Sequence, residues 1–100
     1  MAAYVIGIVR IQDPERYMQE YVPLSGPSVE QYGGRFLARG GAHEVLEGEL
    51  GADRVVIIEF DDVESAQRWW SSPEYEAAKA KRRGASEANF FLVEGVSKLG

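Results

Sequence analysis

Gly33-Gly34-Arg35-Phe36-Leu37-Ala38-Arg39-Gly40-Gly41 sets a glycine pair on each side of a short extended run. On a strand alternate side chains share a face, so Arg35, Leu37 and Arg39 are expected on one side and Phe36 and Ala38 on the other. The first pair ends a helix, one glycine being suited to the left-handed C-cap position. The second pair predicts a bulge or bend rather than a stop, because His43-Glu44-Val45-Leu46-Glu47 resumes an extended pattern. Residues 48–53 then turn. Arg54-Val55-Val56-Ile57-Ile58-Glu59-Phe60 follows as the clearest strand, apolar on both faces.

Upstream, residues 4–11 are rich in β-branched side chains and end at Asp13-Pro14-Glu15. An N-cap acid, a proline at the first helical position and an acid in the first turn make a strong helix start. Tyr17 and Tyr21 then share one helix face. Pro23, Gly26 and Pro27 predict a kink or break before Val29. Downstream, Asp61 with Glu64 reads as a capping box opening a helix with Ala66, Trp69 and Trp70. Ser72-Pro73-Glu74 restarts a helix that closes in Arg82-Arg83-Gly84, and residues 89–94 form the last strand.

The order strand, helix, strand, strand, helix, strand is the ferredoxin-like βαββαβ pattern, an α+β fold with an antiparallel sheet and both helices on one face. Residues 1–100 are expected to form one domain. A chain this short buries only about 60–65% of its unfolded surface. Val55 and Ile57 lie on the face opposite Val56, Ile58 and Phe60, so both faces are apolar, and a second subunit is the expected cover for the one that the helices leave open.

The net charge of −5 and pI near 4.8 argue against nucleic acid, which calls for a basic stripe, and against an anionic membrane surface. The chain has no cysteine and one histidine. Thiol chemistry is excluded, and neither a metal nor an organic cofactor is expected. The N-terminal run has no basic lead-in and no stretch approaches a membrane span, so a cytoplasmic protein is expected.

Two groups of residues carry the chemical expectations. If the hairpin turns around Gly51, simple antiparallel register sets His43 opposite Glu59. A carboxylate beside an imidazole raises its basicity, as a catalytic general base requires; the plainer reading of His43 is a surface histidine. Glu59 itself, in an apolar strand, must be paired or neutral, with Arg35 and Arg39 the available partners. That pair fixes sheet or dimer geometry in one reading and forms a carboxylate site in the other. The run Lys79-Ala80-Lys81-Arg82-Arg83 reads as a solvated helix end.

Asp13-Pro14-Glu15, Tyr17, Tyr21, Tyr32 through Gly41, Val45-Leu46-Glu47-Gly48, Arg54 through Phe60 and Ser72-Pro73-Glu74-Tyr75 resemble, in order and spacing, the domain of unknown function 1330 family. The resemblance implies a dimeric α/β-barrel, two ferredoxin-like sheets packed face to face. Relatives on that fold include cofactor-free monooxygenases, muconolactone isomerase-like enzymes, haem enzymes and stress-responsive proteins. By this resemblance a ligand pocket bounded by Tyr17, Tyr21, Arg39, Trp70 and Tyr75 is expected, although aromatics at helical spacing also serve as core. The expectation is a homodimer with a cofactor-free metabolite pocket, oxygenase- or isomerase-like. The alternative is a non-catalytic ligand-binding or stress-related barrel.

Overall fold

The computed structural model describes residues 1–96. Strand β1 (Ala3–Ile11) lies in the middle of a four-stranded antiparallel sheet of order β2-β3-β1-β4, with β2 Arg35–Arg39, β3 Arg54–Phe60 and β4 Ser86–Glu94. Alternation divides the sheet. Val5 and Val9 of β1 and Val56, Ile58 and Phe60 of β3 are buried beneath the helices. Each such side chain contributes about 1.5–3 kcal/mol when fully withdrawn from water. Tyr4, Ile6, Ile8, Val55 and Ile57 take the opposite, half-open face.

The helical layer begins at Asp13, whose carboxylate accepts the Arg16 N–H at 3.1 Å. Helix α1 (Pro14–Arg16) passes into a π-helical turn over Tyr17–Tyr21 and then α2 (Val22–Gln31). The expected break is not found. Pro23 has no N–H and its ring would crowd a carbonyl one turn back; the wider π turn, closed by Val22 N–H to the Tyr17 carbonyl, sits immediately before it. Pro27 is exposed, so the carbonyl it leaves free is on the wet side of the helix. Gly33, at φ 80°, and Gly34 end α2 with bonds back to Glu30 and Val29, the left-handed cap expected of that pair.

Helix α3 (Val63–Trp70) is capped by Asp62, one residue later than expected, which accepts the Ser65 N–H at 2.7 Å. Ser72 caps α4 (Pro73–Arg82) through the Tyr75 N–H. Trp69, Tyr17 and Tyr75 are the largest fully buried side chains. Trp69 stacks on Tyr75 at 4.3 Å and donates from its indole N–H to Ser28 Oγ.

The β2–β3 hairpin departs from the expected register. Arg35 pairs with Glu59 and Phe36 with Ile58, but Ala38 pairs with Ile57, so Leu37 is an extra, bulged residue. Strand β2 stops at Gly40, whose φ of 73° turns the chain out of the sheet. Residues 41–47 form no strand.

Candidate functional site

The bulge decides where the arginines go. An inserted residue reverses the alternation. Arg35 therefore lies on the open face, where its Nε donates to Glu59 Oε1 at 2.7 Å, while Arg39 faces the helices. The expected Arg39–Glu59 pair does not form. Glu59 belongs instead to an open-face network with Arg35, Asp61 and Tyr4, whose phenol is held above its ordinary pKa by its hydrogen bond to the Glu59 carboxylate. His43 lies in the exposed segment after Gly40, so it does not face Glu59. The tight hairpin assumed for that dyad is replaced by a long connection over residues 40–53.

On the helix side, Tyr17, Tyr21 and Arg39 line one cleft, together with Ser25, Val29, Phe36, Arg54, Val56, Ile58 and Phe90. Its floor is the buried face of β3, and its roof is the π turn and the start of α2. The π turn places Tyr17 and Tyr21 with ring centroids 4.9 Å apart. Tyr21 shares a 2.9 Å hydroxyl–hydroxyl bond with Tyr75. Arg39 stacks on Phe36, its guanidinium carbon 4.1 Å from the ring centroid, and lies against the backbone of Gly26. A Cβ at Gly26 would come within 2.9 Å of Arg39 Nη2, so the glycine makes room for the cation.

Two more arginines reach this aromatic cluster. Arg54 lies 5.6 Å from the Tyr17 ring centroid, and Arg82 lies 5.8 and 5.1 Å from those of Tyr21 and Phe90. The Nε atoms of both are buried and donate to nothing. Among the described residues no carboxylate forms an ion pair with Arg39, Arg54 or Arg82. Buried donors without partners are uncommon in folded proteins, and unpaired guanidiniums in an acidic chain more so. Burial pushes the Tyr17 phenol up to about 12, against the pull of the Arg54 and Arg82 charges. Burial raises Tyr21 as well, with Tyr75 adding to the shift. These phenols therefore stay protonated at neutral pH and serve as donors. The open space left in the cleft is about 20 Å³, room for about one water molecule.

The other expected pocket residues are elsewhere. Tyr75 is fully buried and reaches the cleft through its bond to Tyr21. Trp70 lines a separate cavity of about 340 Å³ beside β4, with Val5, Ala66, Gln67, Ser71, Phe90 and Leu92. Arg54, Arg82 and Phe90 were not anticipated. Arg82 corrects the reading of residues 79–83 as a solvated end: it follows Tyr75 and Ala78 on the buried stripe of α4, at helical spacing. That periodicity was the available signal. Arg54 gave none, since a strand-end arginine ordinarily points to water.

The model of the domain of unknown function DUF1330 matches residues 2–96. The chain belongs to the DUF1330 family. Comparison with curated protein sequences finds no match. Among solved structures, this DUF1330 chain is similar to a protein of unknown function from Rhodopseudomonas palustris, with a TM-score of 0.74 at 23% identity over 96% of this chain and 83% of that one. It is similar also to SnoaB, a cofactor-independent oxygenase from Streptomyces nogalater, with a TM-score of 0.69 at 14% identity, covering 98% and 96%. A dimeric ferredoxin-like protein of unknown function from Thermobifida fusca gives a TM-score of 0.58 at 22% identity, covering 91% and 90%. At these identities the likeness is one of fold.

Proposed function

We propose that this protein binds a small organic anion, with the carboxylate held at the cleft between β2–β3 and the Tyr17–Gln31 helical segment. The observation that carries this reading is the convergence of Arg39, Arg54 and Arg82 on the aromatic rings of Phe36, Tyr17, Tyr21 and Phe90 without an acidic partner among the described residues. Guanidinium forks match a carboxylate in bidentate geometry, and the protonated phenols of Tyr17 and Tyr21 supply further donors. Arg39, exposed and held by stacking alone, swings aside to admit the ligand.

The residues lining the cleft include donors and cations but no carboxylate or imidazole. A general base is therefore missing from it, which favours binding over oxygenase- or isomerase-like catalysis. We also propose a homodimer. The open sheet face carries Ile6, Ile8, Val55 and Ile57, and extends to Phe91 and Val93, which are 46% and 44% exposed. Similar folds from Thermobifida fusca and Bacteroides fragilis are described as dimeric.

The test is titration calorimetry of the full chain with benzoate and with its uncharged counterpart, benzamide. Benzoate is expected to bind and benzamide not, with Arg39→Gln and Arg54→Gln each weakening benzoate about tenfold or more, the scale of a lost charge-assisted hydrogen bond. Equal binding of the two compounds, or arginine variants that bind benzoate as the wild type does, would overturn the reading. Arg54→Gln, which removes a half-buried cation without an acidic partner, is also expected to leave the ligand-free protein as stable or more stable, whereas an arginine kept for structure would lower the melting temperature when replaced.

A further inference from the structure

The cationic cleft has open space for about one water molecule, and the larger cavity of about 340 Å³ has no charged lining residue. Both lie on the helix-covered side of the sheet, and Phe90 lines both. Its position is set by Gly7, its partner on β1: a Cβ there would come within 2.5 Å of Phe90 Cε1. The missing side chain lets the ring from edge strand β4 lie across β1 toward Val56 of β3, the residue paired with Gly7 on the other side. Trp70 stands 5.4 Å from the Phe90 ring on the side of the apolar cavity, and the Arg82 guanidinium approaches the same ring at 5.1 Å.

Resting on the anion-binding reading above, we infer that the two spaces are the halves of one site divided by Phe90, and that the ligand is an amphipathic carboxylate. Its head meets Arg39, Arg54 and Arg82; its apolar body passes the edge of Phe90 and fills the chamber walled by Val5, Ala66, Trp70 and Leu92. The chamber is within the usual size range for small-molecule sites, which are largely apolar with a few placed polar groups. Gln67 and Ser71, one turn apart on the exposed side of α3 and its end, stand at the chamber's outer rim. Phe90 is thus a specificity-determining residue, setting how far the body must reach.

The test compares 2-naphthoate with benzoate on wild type and on Gln67→Trp, a change at an exposed helical position that narrows the chamber without touching an arginine. Wild type is expected to bind 2-naphthoate about tenfold or more tightly than benzoate, since the second ring buries additional apolar surface. Gln67→Trp is expected to abolish that advantage. Benzoate binding with no advantage for 2-naphthoate, or an advantage that survives Gln67→Trp, would overturn the divided site while leaving the cationic cleft standing. Failure of both carboxylates to bind would remove the anion reading and this inference with it.

Discussion

At the scale of single residues, two glycines hold the candidate site open by having no side chain. Gly26 lets the Arg39 guanidinium lie on α2, and Gly7 lets the Phe90 ring cross β1. Neither has positive φ, so it is space rather than backbone freedom that each supplies. Gly7→Ala is expected to lower stability by about 1–3 kcal/mol, the usual cost of overpacking, read as a lower midpoint in chemical denaturation. It should also displace Phe90 and change the 2-naphthoate to benzoate ratio. A midpoint equal to wild type would show that the ring moves aside freely. Leu37 matters just as much at this scale. One bulged residue sends Arg35 to Glu59 and Arg39 to the helix-side cleft.

At the scale of elements, helix starts are the best-determined features, because each rests on a side chain and an N–H three residues away. Asp13, Asp62 and Ser72 all accept such a bond. The Asp62 carboxyl is held below its ordinary 3.8 by the N–H of Ser65. A carboxylate depressed in the folded state contributes stability that is present above its unfolded pKa and lost as pH falls through the folded one. Asp62→Ala is therefore expected to lower the melting temperature at pH 7, by a difference that shrinks as the pH is brought below the Asp62 folded value. A difference that does not change with pH would assign the cap to geometry rather than charge. Cap, proline and glycine signals placed the helix starts and the end of α2 to within a residue, whereas β4 begins at Ser86, ahead of the expected 89–94, and β2 stops at Arg39 without resuming. The hairpin was less legible. Its register depends on which of two apolar faces β3 gives to Phe36, and both faces of β3 are apolar.

At the scale of the whole molecule, helices cover one side of the sheet and leave the other with an apolar centre framed by Arg10, Arg35, Glu59 and Glu87. A flat apolar face rimmed by ion pairs is the anatomy of an interface. Sedimentation velocity is expected to give the mass of a dimer for wild type and of a folded monomer for Ile57→Glu with Phe91→Glu, since buried unpaired carboxylates disfavour association. A wild-type monomer would leave that face without its proposed cover. Neither position lines the cationic cleft, so benzoate binding by the monomer would separate that cleft from the assembly.

The chain by itself determined the order of elements, their caps, the glycine stop after α2 and the ferredoxin-like sheet with one covered face. Those properties come from interactions spanning only a few residues, together with alternation along strands. Tyr17, Tyr21 and Arg39 were legible as site candidates. Only the tertiary structure decided that His43 stays away from Glu59, that Arg39 turns from the sheet's open face, and that Arg54 and Arg82 join it. The reason is physical: a one-residue bulge reverses a face, and the space an arginine or a phenyl ring occupies is set by the missing side chain of a glycine far away in the chain.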